Sequence, residues 1–240
     1  MDLNTTRPRH IVALFLMLLT VLLNFILPSL AILATNTTTS AIPTPNALEE
    51  FVLFSIQIGS VVLTLLLIPI IWYILVNEYN IEQILSHIKL KKTNIVHSVT
   101  YGFVFTILMV VVLSVFGLIL PYLGITLGDE AGNLQELTTL FSPIYLFLLV
   151  LGQPLVEEFF FRGFLYDKLE NQGPILAIVI TSILFGFIHI GYGKPIPVLT
   201  GMLTGVILGY ELHKTKSLLA PIITHTLYNL SALVAYLFLI

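Results

Sequence analysis

Long runs of apolar residues fill most of this chain, and only short polar segments separate them. Most of the runs reach the roughly 20 residues that a helix needs to cross the hydrocarbon core of a bilayer. The fifth and sixth runs are shorter, which predicts tilted, packed or partly re-entrant helices. In chain order the runs cover residues 11–34, 51–76, 97–122, 141–168, 174–190, 196–212 and 218–240.

This pattern predicts an all-α fold, a polytopic membrane helix bundle with about seven transmembrane helices and a range of six to eight. The composition agrees, because 57% of the residues are hydrophobic and 10% are charged, against about 25% charged in soluble domains. So few charges cannot cover a soluble surface. The net charge of −3 and the lack of a basic stripe argue against nucleic-acid binding. The chain contains no cysteine, which excludes disulfides, thiolate metal sites and a cysteine nucleophile.

The distribution of lysine and arginine predicts the orientation of the bundle, because short cytoplasmic connections are enriched in these residues. The connections 35–50 and 123–140 carry neither residue, whereas the N-terminus and the alternate connections do. We therefore expect a protein of the bacterial plasma membrane with its N-terminus in the cytoplasm. The basic residues of this pattern are Arg7, Arg9, Lys89, Lys91, Lys92, Lys168, Lys214 and Lys216, and Lys194 is the exception.

Three further segments give local predictions. The first run is too long for a cleaved secretory signal, so we interpret it as a retained anchor, kinked by Asn24 and Pro28. The segment 79–90 has the apolar spacing of a helix that lies along the cytoplasmic interface. Glycines recur every four residues in the sixth run and predict a close approach of two helix backbones, either inside the chain or between chains. These glycines are Gly201, Gly205 and Gly209.

A small set of polar side chains interrupts the apolar runs. Ionisable residues inside a membrane segment are costly, so each one indicates a functional site by default. Three different runs carry them, and carboxylates with imidazoles can activate water. The set consists of Glu157, Glu158, Arg162, His189, His225 and Asn229.

Helical spacing predicts how this set is arranged. Glu158 and Arg162 are four residues apart and can pair on one face, which leaves Glu157, about 100° around the helix, as the candidate base. At 1.5 Å per residue, Glu157, His189 and His225 lie about 17, 22 and 12 Å from the cytoplasmic ends of their helices. The three side chains therefore fall in one band about 10 Å deep, where a shared cavity is allowed. The alternative to a catalytic site is a structural ion cluster. In that case His225 and Asn229 form only helix–helix hydrogen bonds.

The polar set resembles the motifs of the CAAX-protease and bacteriocin-processing family, also called the CPBP or Abi family. Glu157, Glu158 and Arg162 match E-E-x-x-x-R. Phe185 and His189 match F-x-x-x-H, and H-x-x-x-N matches His225 with Asn229 in the expected order. The resemblance covers roughly residues 140–235. We therefore divide the chain into N-terminal transmembrane helices over 1–139, which carry no matched motif, and a catalytic helix core over 140–240.

The resemblance implies an intramembrane endopeptidase, and eukaryotic members of the family remove the last three residues of prenylated C-a-a-X proteins. It assigns Glu157 and His189 to water activation, His225 and Asn229 to the oxyanion, and supporting roles to Glu158 and Arg162. The implied partners are the lipid bilayer and a membrane-associated protein or peptide substrate.

The sequence leaves two mechanisms of hydrolysis open, one with a catalytic zinc and one without a metal. A catalytic zinc needs three protein ligands, and Glu157, His189 and His225 can supply them. We favour a metal-free water activated by the glutamate, without a cofactor, because H-E-x-x-H is absent and Asn229 is a poor zinc ligand.

The competing functions belong to other classes. A non-catalytic scaffold or bacteriocin-immunity protein would use the polar set only for structure. A transporter would use Glu157 and the histidines as a proton relay, but the paired repeats with broken helices of many transporters are not visible in the sequence. We therefore favour the endopeptidase.

Overall fold

The computed structural model describes residues 11, 12, 15, 19, 45–90, 94–124, 137–192 and 195–239. These described residues form helices and connecting turns, without a strand. The first apolar run, with the predicted kink at Asn24 and Pro28, lies outside the described residues except for four positions.

Nine α-helices have defined bounds among the described residues, together with π-helical and 3-10 segments that continue several of them, and residues 137–140 are also α-helical. The α-helices are α1 (Ala47–Val61), α2 (Ile68–Leu75), α3 (Ile81–His87), α4 (Ile95–Ile119), α5 (Pro143–Glu158), α6 (Tyr166–Leu169), α7 (Pro174–Phe187), α8 (Pro195–Thr215) and α9 (Leu219–Leu239). The π-helical segments are Val62–Leu67 and Phe159–Leu165, and the 3-10 segments are Leu120–Leu123, Glu170–Gln172 and Ile188–Tyr192.

Five continuous helical stretches among the described residues are long and apolar enough to cross a membrane, and α7 with its 3-10 extension is a shorter apolar helix. This architecture confirms the predicted all-α membrane bundle. The five stretches are Ala47–Leu75, Ile95–Leu123, Pro143–Gln172, Pro195–Thr215 and Leu219–Phe238, and the shorter helix is Pro174–Ile190.

The structure corrects one predicted length. The sixth run was expected to be short, over 196–212, but α8 extends through His213 and Lys214 to Thr215 and is long enough to span. Polar residues end a hydropathy run without ending the helix, because lysine is a good helix former. The fifth run is short as predicted, since its α-helix ends at Phe187.

Local sequence signals explain where several helices begin. Asn46 caps α1 in a capping box with Glu49, and Asn80 caps α3 in the same way with Gln83. At the start of α7, Gly173 has a φ of 138°, a backbone conformation that favours glycine. Pro174 follows as the first helical residue, where its missing N–H costs nothing. This turn sends the chain from the end of the third spanning stretch directly into α7.

The glycine face of α8 packs against α7 inside one chain, which confirms the predicted close approach. A Cβ at Gly205 would lie 2.7 Å from Ser182 Cα, and one at Gly201 would lie 3.1 Å from Gly186 Cα. Gly209 faces the side chain of Ile178. The backbones of α7 and α8 therefore approach closely at Gly201 and Gly205, which fixes the position of α7 and of the residues at its C-terminal end.

Candidate active site

The centre of the site is the C-terminal end of α5, where the helix passes into the π-helical segment Phe159–Leu165. Wide π-helical turns are rare and are frequent at functional sites. Phe160, Phe161 and Phe164 of this segment are buried in an aromatic core. Phe161 meets Phe185 of α7 edge-on at 5.1 Å. This packing buries the end of α5 and leaves Glu157 and Glu158 only 4% and 0% exposed.

Glu158 has two partners that are basic residues. Arg162 Nη1 donates to Glu158 Oε1 at 2.9 Å, so the pair predicted from the spacing is present. His225 Nδ1, from α9, also lies 2.9 Å from Glu158 Oε1. A carboxylate oxygen only accepts, so the proton of this hydrogen bond lies on Nδ1. The bond therefore fixes the ring of His225 against α5.

Glu157 has a different set of neighbours. Its Oε1 atom accepts a hydrogen bond from Gln153 Nε2 at 2.7 Å. Its Oε2 atom lies 3.8 Å from His225 Nε2, the ring nitrogen that does not contact Glu158. Two atoms at this separation can both contact one water molecule, because hydrogen bonds to water are about 2.8 Å long. Glu157 Oε2 and His225 Nε2 are thus close enough to contact the same water molecule.

His189 lies in the 3-10 turn that follows α7. Its Nδ1 atom is 2.9 Å from the carbonyl oxygen of Phe185, one turn earlier. Gly201 of α8 makes room for the ring, since a Cβ there would lie 3.0 Å from His189 Nδ1. The ring packs edge-on against Phe185, which also contacts the ring of His225. The structure therefore brings His189 to the same site.

The aromatic ring of Phe185 contacts Arg162 and both histidines of the site. The guanidinium carbon of Arg162 lies 4.5 Å from the centroid of this ring, within the range of a cation–π interaction. The rings of His189 and His225 lie 5.2 and 5.6 Å from it, both edge-on. Phe185, the first residue of F-x-x-x-H, is thus the apolar spacer of the site. Asn229 lies one turn after His225 on α9 and is half-buried.

Three polar residues near the site were not predicted. Gln153 could have been found from its spacing, because it precedes Glu157 by four residues on one helix. Glu211 of α8 is fully buried, and its Oε1 lies 2.9 Å from Thr224 Oγ1, the residue before His225. Thr224 Oγ1 also lies 3.1 Å from Gly102 O on α4. Glu211 is an ionisable residue inside an apolar run, so it meets the criterion used for the other buried acids. It lies two residues before His213, however, where the sequence indicates the polar end of the helix.

The site does not fit the zinc alternative. In the part of the chain that the structure describes, no group of three His, Asp or Glu side chains is arranged to hold a metal ion. We therefore derive no step of the chemistry through a metal.

Comparison with known proteins agrees with this geometry. Residues 139–231 match the family model of Rce1-like proteins, described as type II CAAX prenyl endopeptidases. The chain is also similar to the membrane-embedded CAAX protease MroQ of Staphylococcus aureus (strain USA300), with 36% identity over 94 residues. That match covers 36% of this chain and 37% of MroQ, so the compared region is little more than a third of the relative. No solved structure matches.

The family-model match falls on the half of the chain that carries the three motifs. The matched residues run from just before α5 to the middle of α9, and they contain all the groups that meet around Glu157. The resemblance predicted from the motifs is therefore supported over residues 139–231, which are similar to type II CAAX prenyl endopeptidases.

Proposed function

We propose that this protein is an intramembrane peptidase in which Glu157 activates a water molecule. One observation carries the proposal: two adjacent buried glutamates have different partners. Glu158 is bound by Arg162 and His225, whereas the hydrogen-bond donor to Glu157 is the neutral amide of Gln153. A carboxylate tied to a buried arginine is a structural anion. A carboxylate with a neutral donor and one oxygen facing a histidine can gain and lose a proton during a reaction.

The chemistry of peptide hydrolysis follows from this difference. Glu157 Oε2 removes a proton from water, and the resulting hydroxide attacks the carbonyl carbon of the peptide bond. The tetrahedral intermediate then collapses as the C–N bond breaks, and Glu157 returns the proton to the departing nitrogen. Water supplies the hydroxyl group of the new carboxylic acid, and its other hydrogen leaves on the amine.

The remaining polar groups take the roles that the family resemblance implies. His189 helps to orient the water. His225 and Asn229 lie on one face of α9, one turn apart, and stabilise the oxyanion that develops on the substrate. For His225 this role requires a proton on Nε2 in addition to the one on Nδ1. Arg162 and Glu158 support the site by holding the ring of His225.

We further propose that the substrate is a membrane-associated protein or peptide. The site lies between apolar helices, and the match to CAAX prenyl endopeptidases and to a relative named as a CAAX protease supports this substrate class. The distribution of lysine and arginine supports a bacterial plasma membrane with a cytoplasmic N-terminus.

The test is Glu157→Gln in purified protein reconstituted into liposomes. The probes are internally quenched peptides, with and without a farnesylated C-terminal C-a-a-X sequence, because these sample the proposed substrate class. We expect the variant to lose at least about 100-fold in kcat, as removal of a general base removes a factor of about 10² to 10⁴. The amide has the shape of the carboxyl group, so the variant should fold normally.

The matched control is Glu82→Gln, the same change at an exposed position of α3, and it should keep full activity. Equal cleavage by the wild type and Glu157→Gln, including cleavage by neither, contradicts the proposal. That result would favour the scaffold or immunity interpretation, in which the polar residues only stabilise the bundle.

A further inference from the structure

We propose that Gln153 is the positioning residue of the site, which holds the carboxylate of Glu157 in its reactive orientation. This inference rests on the proposed function of Glu157, and it concerns a residue outside all three family motifs. Gln153 and Glu157 are one turn apart on α5, and their contact of 2.7 Å is short for an N–H···O hydrogen bond. Short bonds of this kind are typical of a charged acceptor.

The direction of the hydrogen bond follows from the chemistry of the two groups. An ionised carboxylate has only acceptor oxygens, and the amide nitrogen of glutamine has only donor hydrogens. Gln153 Nε2 therefore donates to Glu157 Oε1. With Oε1 held in this way, the other oxygen of the same carboxylate points toward His225 Nε2, 3.8 Å away. The hydrogen bond thus selects which oxygen of Glu157 faces the reacting water.

The neutrality of Gln153 matters as much as its geometry. Arg162, which pairs with the neighbouring Glu158, is a fully buried cation that stabilises a fixed negative charge. A cation in the place of Gln153 would stabilise the ionised base and oppose proton transfer to it. A neutral donor restricts the rotation of the carboxylate and still lets it take a proton from water. An apolar residue there would leave the carboxylate free to turn away from the histidine.

Two substitutions separate positioning from packing. Gln153→Leu removes the donor at similar volume. Gln153→Glu keeps the shape of the side chain but places a second carboxylate beside Glu157, where two negative charges repel. We expect kcat to fall about tenfold in Gln153→Leu, the typical effect of a lost hydrogen bond to a charged group. We expect a fall of at least about 100-fold in Gln153→Glu, because repulsion adds to the lost donor.

The value of KM should stay within about twofold in both variants, because Gln153 contacts the base and not the substrate. The matched control is Gln57→Leu, the same change at an exposed position of α1, and it should leave kcat and KM unchanged. The assay uses the quenched peptides in liposomes described above. Wild-type kcat in both Gln153 variants, or a change in KM alone, would overturn the inference.

An infrared measurement tests the contact without any substrate. Subtraction of the Glu157→Gln spectrum assigns the carboxylate bands of Glu157 in the reconstituted protein. We expect these bands to move in Gln153→Leu and to stay in place in Gln57→Leu, and unmoved bands would show that Gln153 does not hold this carboxylate. If Glu157→Gln is fully active, the proposed function fails whatever the bands show. If Glu157→Gln is inactive while both Gln153 variants have wild-type kcat, only the present inference fails.

Discussion

Arg162 is a fully buried cation, and its neighbours explain why a membrane bundle tolerates it. The guanidinium donates to Glu158 Oε1 at 2.9 Å and to the carbonyl oxygen of Gly205 at 3.2 Å, and it also packs on the ring of Phe185. These contacts come from α5, α7 and α8. Arg162 therefore links the acidic end of α5 to both neighbouring helices.

We predict that Arg162→Met destabilises the protein by about 3–5 kcal/mol, because the substitution leaves the buried carboxylate of Glu158 without its cation. Arg162→Lys should lose less, since it keeps the charge but not the planar fork. The measurement is the free energy of unfolding in mixed micelles with increasing denaturing detergent. The control is Lys89→Met, which breaks the more exposed pair with Glu170 and should cost about 1 kcal/mol or less. Similar losses at both positions would contradict the role given to Arg162.

Part of the site could be predicted residue by residue, because helical spacing is a local property. The spacing of Glu158 and Arg162 predicted their ion pair, and the same rule applied one turn earlier would have found Gln153. The second bond of Glu158, to His225, joins residues 67 positions apart, and it depends on how α9 packs against α5. Glu211 lies near the polar end of its run at His213, and its burial follows from the packing of α9, whose Thr224 hydroxyl contacts it.

The placement of His189 depends on the contact between α7 and α8. At Gly205 the nearest atom to an added Cβ is a backbone atom, Ser182 Cα at 2.7 Å, so the helices must move apart to accept any side chain. Gly201 faces the ring of His189 at the end of the same interface. The glycine spacing predicted this approach from the sequence. The ends of α8 were less predictable, because hydropathy falls at His213 before the helix ends at Thr215.

We predict that Gly205→Ala costs about 1–3 kcal/mol in the free energy of unfolding, as expected when a packed interface receives an extra methyl group. It should also lower kcat, because a shift of α7 moves His189. The control is Gly59→Ala in α1, where nothing lies within 4 Å of the added Cβ. That change should stabilise the protein by about 0.5–1 kcal/mol, since alanine is the better helix former. If Gly205→Ala is as stable and active as the control, the close approach is not required.

At the scale of the whole molecule, the proposed function makes the orientation of the bundle decide from which side water and substrate reach Glu157. His225 is six residues after Leu219, the first residue of α9, which places it about 9 Å along the helix. Lys214 and Lys216 lie close to the start of α9 and mark that end as cytoplasmic on the positive-inside rule. The site is therefore expected to open to the cytoplasm.

Cysteine labelling tests this orientation cleanly, because the chain contains no cysteine of its own. Ser86, on α3, is exposed on the expected cytoplasmic side, and Tyr122, after α4, is 91% exposed on the expected outer side. We predict that a membrane-impermeant maleimide labels Tyr122→Cys in intact cells and labels Ser86→Cys only after the membrane is opened. The unsubstituted protein should take no label in either case. The reverse pattern would place the start of α9, the helix end nearest His225, outside the cell, and the proposed function would then require a substrate that reaches the site from the outer face.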